Sequence, residues 1–310
     1  MIIARPMGGM GNQMYCYALG KALSLKKNTP LRIDKSWVDE VGAEKGLDLF
    51  SLANFKLECA EWRYPRSGLR GLLSRRKADR IFAWLSQMLP RRWKSILVER
   101  QCRYDEWIRE IKSRTIYIRA GTWQSYKYFR DCEDEIRRDF EFKEEVYEAN
   151  RGLADRILAD KQSVSVHMRR GDYVANSEYA YTQGICTRQY YDNALEYFRH
   201  RLPSPTFYFF SDDIGFVKSE FGSRDGYVFV DRRESRGNEV GFRDDGHHDM
   251  YLMSLCRNNI IANSTFSWWA AFLNKSKEKM VVAPDRWYNG VADDSFILRP
   301  DWIRISGKDS

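Results

Sequence analysis

Val164-Ser165-Val166-His167-Met168-Arg169-Arg170-Gly171-Asp172-Tyr173 is the stretch from which the fold can be read. Apolar side chains at 164, 166 and 168 alternate with polar ones, which predicts a short buried strand, and Gly171 predicts a sharp turn where it ends. Arg169 and Arg170 then stand at the carboxyl end of a strand. In open α/β sheets that is where ligands bind, and the planar, permanently charged guanidinium suits bidentate capture of phosphate. A phosphorylated ligand is the expectation. A solvated surface pair is the alternative that the same two residues allow.

The flanking sequence repeats this logic. Residues 190–201 read as an amphipathic helix, 206–210 as an apolar strand ending in Ser211-Asp212-Asp213, and 227–230 as a further strand. A helix over 249–256, a strand over 259–262 and a helix over 264–273 follow. Near the start, Ile2-Ile3-Ala4 is a strand, Met7-Gly8-Gly9-Met10-Gly11 a loop, 12–26 a helix and 31–34 a strand. Residues 37–114 are irregular and basic, 115–119 a strand, and 147–159 a helix. Strands alternating with helices mean mostly parallel sheets. A chain of 310 residues suits two domains, and a soft boundary near 150 divides it into 1–150 and 151–310.

A net charge of +8 points to an acidic partner: a nucleotide, a nucleic acid or an anionic membrane surface. Residues 66–103 hold eleven basic residues against Asp79 and Glu99, a local charge of +9. Within that segment Ile81, Phe82, Trp84, Leu85, Met88 and Leu89 fall at helical spacing before Pro90-Arg91-Arg92-Trp93. A basic amphipathic helix with tryptophans can lie on anionic lipid, while a helix packed on the core gives the same pattern. The six cysteines show no CxxC spacing, so neither a zinc ribbon nor a disulfide framework is expected. No apolar run reaches the roughly 18 to 20 residues of a membrane span, and no signal peptide is seen, so a cytoplasmic protein is expected.

Three further features bear on chemistry. Gly9-Met10-Gly11-Asn12-Gln13-Met14 puts Met where a dinucleotide fingerprint needs its third glycine, which weakens a hydride-transfer reading, and no lysine follows as in a Walker loop. Asn12 and Gln13 offer amides suited to sugar hydroxyls; a plain turn is the alternative. Ser264-Thr265-Phe266-Ser267 brings orphan N–H groups, the positive dipole end and hydroxyls together at a helix start, a phosphate site or simply a capped helix. Asp212-Asp213, Asp244-Asp245 and His247-His248-Asp249 invite a metal, although Asp213 and Asp249 also open helices, where a carboxylate is favourable.

Gly8-Gly9-Met10-Gly11-Asn12-Gln13-Met14, His167-Met168-Arg169-Arg170-Gly171-Asp172-Tyr173, Phe210-Ser211-Asp212-Asp213 and Asn263-Ser264-Thr265-Phe266-Ser267-Trp268-Trp269-Ala270-Ala271 together resemble, in order, the motifs of bacterial α-1,2-fucosyltransferases, glycosyltransferase family 11. The resemblance runs from residue 2 to Trp287. It implies two facing Rossmann-like α/β domains of GT-B type, with GDP-fucose in the carboxyl-terminal one and acceptor approach from the other. It also implies inversion at the anomeric carbon with no metal or other cofactor. Arg169 would hold the β-phosphate, with Ser264, Thr265, Phe266 and Ser267 assisting at the helix start. His167 and Asp249 would lie by ribose and guanine, Asn12 by the fucose or β-phosphate, and Arg170 and Asp212 in the same donor site.

Gly9, Gly11, Gln13, Tyr173 and Gln183 are the acceptor-side candidates. A base for the acceptor hydroxyl would be Asp172, with Glu178 second; Asp172 orienting the arginines is the alternative. One departure stands out: many members carry His-Gly-x-Cys where this chain has Gln183-Gly184-Ile185-Cys186, which leaves the acceptor open. The expected reaction moves L-fucose from GDP-fucose to the 2-hydroxyl of a galactoside, in surface polysaccharide of O-antigen type or an oligosaccharide. A lipid-linked acceptor and peripheral contact of 66–103 with the inner face of the cytoplasmic membrane go with it. The alternatives are another nucleotide-sugar transferase of the same fold, or a basic nucleic-acid-binding protein. Nucleic acid is not the expected partner, because the positive charge lies outside both proposed phosphate sites and no nucleic-acid motif is present.

Overall fold

Ile2–Ala4 (β1) is a strand of wholly buried side chains, and the helix Met10–Lys27 (α1) packs across it. The computed structural model of the chain describes residues 1–45, 50–63, 84, 88–99, 101–170, 186–231, 246–289 and 293–307. α1 stops where Asn28 enters the left-handed region at φ 46°, with Lys26 and Lys27 at the negative end of the helix dipole. Gly20 lets it lie close to the sheet: a Cβ there would stand 2.8 Å from Leu31 Cδ1 and 3.2 Å from Ala4 Cβ. The close approach that a dinucleotide fingerprint assigns to its third glycine is thus supplied later in the helix, and Met14 is fully buried instead.

Leu31–Ile33 (β2), Ala60–Glu61 (β3), Ile96–Val98 (β4) and Ile116–Ala120 (β5) complete a parallel sheet of order β3-β2-β1-β5-β4. The helices Ser36–Lys45 (α2) and Glu133–Asp139 (α3) belong to the same unit, which spans Met1–Glu141. Tyr17 donates to Asp139 Oδ2 at 2.8 Å and Lys21 pairs with that carboxylate at 2.7 Å, fastening α1 to α3.

The second unit, Phe142–Ser310, opens with Glu144–Glu148 (α4) and Arg151–Ala159 (α5) where the sequence pattern predicts one helix over 147–159. The break falls at Asn150, whose amide donates to Val146 O at 2.5 Å and to His248 Nδ1 at 2.7 Å. Both helices pack on Gly246–Leu255 (α8), so residues before 150 join this unit. Between them lie Ser163–Met168 (β6), Arg188–Arg199 (α6), Thr206–Ser211 (β7), Ile214–Phe221 (α7) and Tyr227–Phe229 (β8). Asn258–Ile260 (β9), Thr265–Leu273 (α9), Val281–Pro284 (β10) and Ile303–Ile305 (β11) follow.

The second sheet is parallel throughout, with order β11-β10-β9-β6-β7-β8. Counted from its own first strand it reads 3-2-1-4-5-6 from one edge, the Rossmann order. Phe207, Tyr208, Phe209 and Phe210 of β7 are all buried, as befits a strand covered on both faces. α6 buries Tyr190, Tyr191, Ala194, Leu195 and Phe198, a stripe at helical spacing that seals one face. The α/β class and parallel sheets expected from the alternation of strands and helices are found, and the chain divides into two such units as the resemblance implies.

Candidate functional site

In the Rossmann order the chain leaves β6 toward β7 on one side and returns to β9 on the other, so the switch point lies between β6 and β9. The two are paired with Val164, Ser165 and Val166 beside Asn258, Asn259 and Ile260. Residues following Ile260 therefore leave the sheet next to those following Val166. The arginine motif and the Ser264 helix start, 95 positions apart in the chain, arise from adjacent strands.

α6 fixes both strand ends from behind. Tyr191 Oη donates to His167 O at 3.1 Å, and Tyr190 Oη donates to Ile261 O at 2.6 Å. Both hydroxyls are buried donors satisfied by backbone that carries the site, so ring packing and hydrogen bonding set its shape together. Nothing in the spacing of the sequence singled out this pair.

The two arginines part company. Arg169 Nη1 lies 3.1 Å from Asp212 Oδ2, while Asp212 Oδ1 accepts from the Arg170 backbone N–H at 3.0 Å. One carboxylate at the end of β7 thus aims a guanidinium at the end of β6. The Arg170 side chain turns the other way, its Cζ 3.3 Å above the Phe216 ring and its Nε 3.5 Å from Asp213 Oδ2. Asp213 also caps α7, accepting from Phe216 N at 3.2 Å. The Asp212-Asp213 pair is taken up by arginines and a helix start, and Arg170 braces the motif through α7. Asp244 and Asp245 lie outside the described residues.

His167 is buried, and no hydrogen-bond partner for its Nδ1 is present among the described residues. Burial first, and Arg169 second, push its pKa down to about 3, so the ring is neutral at working pH. It lies 5.3 Å from the Phe266 ring in the first turn of α9. A neutral, buried imidazole beside a helix amino terminus is chemically able to take a polar hydrogen-bonding group.

At that terminus Ser264 is the N-cap residue in extended conformation, yet its side chain makes no capping hydrogen bond. As at any helix start, the first N–H groups of α9 have no partner within the helix and point along its axis away from it. Ser267, by contrast, is turned inward: its hydroxyl is fully buried and donates to Ala262 O at 3.4 Å and Ser264 O at 3.3 Å. Its hydroxyl is thus engaged by backbone carbonyls. Asp249 stands half-buried in the first turn of α8, which packs on α9.

The first unit has a switch point of its own, between β1 and β5. Gln13 is 1% exposed, donating to Gly8 O at 3.0 Å with its oxygen accepting from Ser51 N at 3.2 Å. It shapes the glycine loop rather than facing a ligand. Gly9 is the N-cap of α1 and Gly11 lies buried in its first turn. Asn12 Oδ1 accepts from Gln124 Nε2 at 2.9 Å, joining the ends of β1 and β5. Close by, Glu99 Oε2 accepts from Thr122 N at 2.7 Å and Trp123 N at 3.1 Å.

That loop is strained to receive the carboxylate. Gly121 has φ 126°, where a Cβ would meet Glu99 Cβ at 2.3 Å, and Trp123 sits at φ 55°. Burial raises the Glu99 pKa against the pull of those hydrogen bonds. Glu99 and Gln124 went unread in the sequence. The signal was present: Gly121-Thr122-Trp123-Gln124 places a glycine and polar side chains after a strand, as the 164–173 stretch does. Gly171, Asp172, Tyr173, Glu178 and Gln183 lie outside the described residues.

Similarity to known proteins agrees with this arrangement. The fold resembles that of a mutant of Arabidopsis thaliana FUT1 solved in complex with GDP, with a TM-score of 0.51 and 12% identity over 95% of this chain and 73% of that one. Two parallel-sheet α/β units, one of them of Rossmann order, are the parts of a GT-B-type fold. The model of glycosyl transferase family 11 matches residues 101–306. The chain belongs to that family.

Among its relatives, an Escherichia coli alpha-1,2-colitosyltransferase is 30% identical over 98% of this chain and 99% of its own length. The O-antigen biosynthesis glycosyltransferase WbnK, also of Escherichia coli, is 28% identical over 96% and 98%. The galactoside 2-alpha-L-fucosyltransferase Sec1 of Mus musculus is 29% identical over 61% of this chain and 52% of its own.

Proposed function

We propose that the protein transfers L-fucose from GDP-fucose to the 2-hydroxyl of a galactoside, with inversion at the anomeric carbon and without a metal. What supports this reading is that Arg169, held by Asp212, and the amino end of α9 follow adjacent strands at the switch point of the second sheet. As the C–O bond to GDP breaks, negative charge grows on the β-phosphate and the sugar becomes oxocarbenium-like. Fixed donors aimed at that phosphate stabilise the transition state more than the ground state. In this scheme a guanidinium and a helix terminus do the work that a divalent cation does elsewhere, and the paired aspartates hold arginines instead of an ion.

His167, Phe266 and Asp249 would border the nucleoside. Asn12 with Gln124 and Glu99 would read sugar hydroxyls on the first unit, and Asp172, or else Glu178, would take the proton of the attacking hydroxyl. An O-antigen-type acceptor agrees with what WbnK is named for, and a lipid-linked form of it at the inner face of the cytoplasmic membrane is part of the same proposal. The colitosyl relative supports a second reading, the same linkage made from activated colitose.

The test is a screen of the purified chain against GDP-fucose, activated colitose, GDP-mannose and UDP-sugars with galactoside acceptors, reading the product linkage by NMR. An α-1,2-fucosyl galactoside formed in excess EDTA is the expected product. A colitosyl product alone would move the donor assignment, and activity lost to EDTA and restored by manganese would end the metal-free scheme.

A further inference from the structure

We propose that the first unit carries a docking face for an anionic lipid surface, built at the amino ends of β1, β4 and β5 from Lys26, Arg91, Arg92 and Lys112 around exposed Leu89 and Trp93. Exposed apolar side chains adjoin that face in the chain. Trp84 at 61%, Met88 at 70%, Leu89 at 44% and Trp93 at 48% fall within ten residues of chain, and Leu25, at 46%, stands in the last turn of α1. Scattered singly such residues need no account; gathered beside a basic surface they do.

Hydrogen bonds join the end of α1, residues 92–93 and residues 109–114 into one surface. Lys26 Nζ donates to Arg109 O at 2.6 Å and Lys27 Nζ to Ile111 O, bringing the end of α1 against 109–112. Lys112 N donates to Arg92 O at 2.6 Å and Ser113 Oγ to Trp93 O at 2.7 Å. The Met1 amino group closes the row on Arg114 O at 2.8 Å. Among the described residues Arg91, Arg92, Lys112 and Arg114 have no carboxylate in ion-pair range, whereas Arg109 is paired with Asp131. Burial first, and a neighbouring cation second, lower the pKa values of the Met1 amino group and of Lys27.

Cations rimming exposed Leu, Met and Trp fit a membrane interface, where the charges meet anionic headgroups and the apolar tips enter the acyl boundary. Nucleic acid would use the cations but gives no reason to expose Met88 and Leu89. The face also lies at the opposite end of the first sheet from Asn12, Gln124 and Glu99, so docking leaves the carboxyl ends of the strands open.

Sedimentation of the full chain with vesicles of equal parts phosphatidylglycerol and phosphatidylcholine tests this. Expected are binding that salt reverses, none to phosphatidylcholine alone, and a loss of about fivefold in partition for each charge removed in Arg91→Gln, Arg92→Gln and Lys112→Gln. Met88→Ser with Leu89→Ser should weaken binding without restoring salt resistance. Transfer to a water-soluble galactoside should be unchanged in all of these variants, which separates this inference from the donor assignment. No binding to the anionic vesicles, binding indifferent to these substitutions, or displacement from the face by oligonucleotide with no need of Met88 and Leu89 would each overturn it.

Discussion

Asp212 accepts from Arg169 at 3.1 Å and from the Arg170 backbone at 3.0 Å, so its charge orients the clamp. Arg169→Ala should lower turnover at least about a hundredfold, comparable to deleting an oxyanion-type donor. Asp212→Asn keeps the shape and loses the charge, and about a tenfold loss is expected. The double variant should be no slower than Arg169→Ala alone, because both act through one guanidinium. Arg170→Ala, which uncovers Phe216, should cost thermal stability more than turnover. Steady-state kinetics and melting curves on the four proteins check the set. His167 supplies a pH test. Its folded pKa of about 3 lies below the unfolded value near 6.5, so the stability it confers is complete above about pH 6.5 and is lost as pH falls toward 3, the unfolded chain taking up the proton first. His167→Gln should flatten that decline in urea melts; an unchanged slope would assign it to another group.

At the scale of elements, α9 carries the heaviest share of the proposed donor site. Thr265 is its first helical residue, where proline is tolerated, and Ser264 at φ −127°, ψ 127° already has the extended conformation that a following proline requires. Thr265→Pro should therefore keep the helix while deleting the N–H of its first residue. Thr265→Val deletes the hydroxyl and keeps the N–H. Calorimetric titration with GDP should show the proline variant binding at least about tenfold more weakly than the valine variant, at equal melting temperature. Equal affinities would remove the α9 amino terminus from the phosphate site. This helix start was legible from Asn263 to Trp269, since hydroxyl residues before an apolar run advertise a terminus. Its inward Ser267 was not, because which way a first-turn side chain faces depends on the backbone it packs against.

For the whole molecule, a ligand that binds only the folded state stabilises it by mass action. GDP at about a hundred times its dissociation constant should add about 2.7 kcal/mol, a shift that differential scanning calorimetry will read, and Arg169→Ala should abolish it at the same GDP concentration. The alternation of short apolar strands with helices specified two parallel α/β sheets, and four ordered motifs specified the family, because both are written in local residue order. Packing specified the rest. The helix break at Asn150 follows from a contact with His248, the strained Gly121–Trp123 turn from the approach of Glu99, and the parting of Arg169 from Arg170 from carboxylates some 42 positions downstream. The basic docking face likewise joins three segments that meet only at the ends of one sheet. Local pattern depends on a side chain's own chemistry and its near neighbours, whereas a partner's position is an outcome of chain closure across the sheet, which no window of sequence contains.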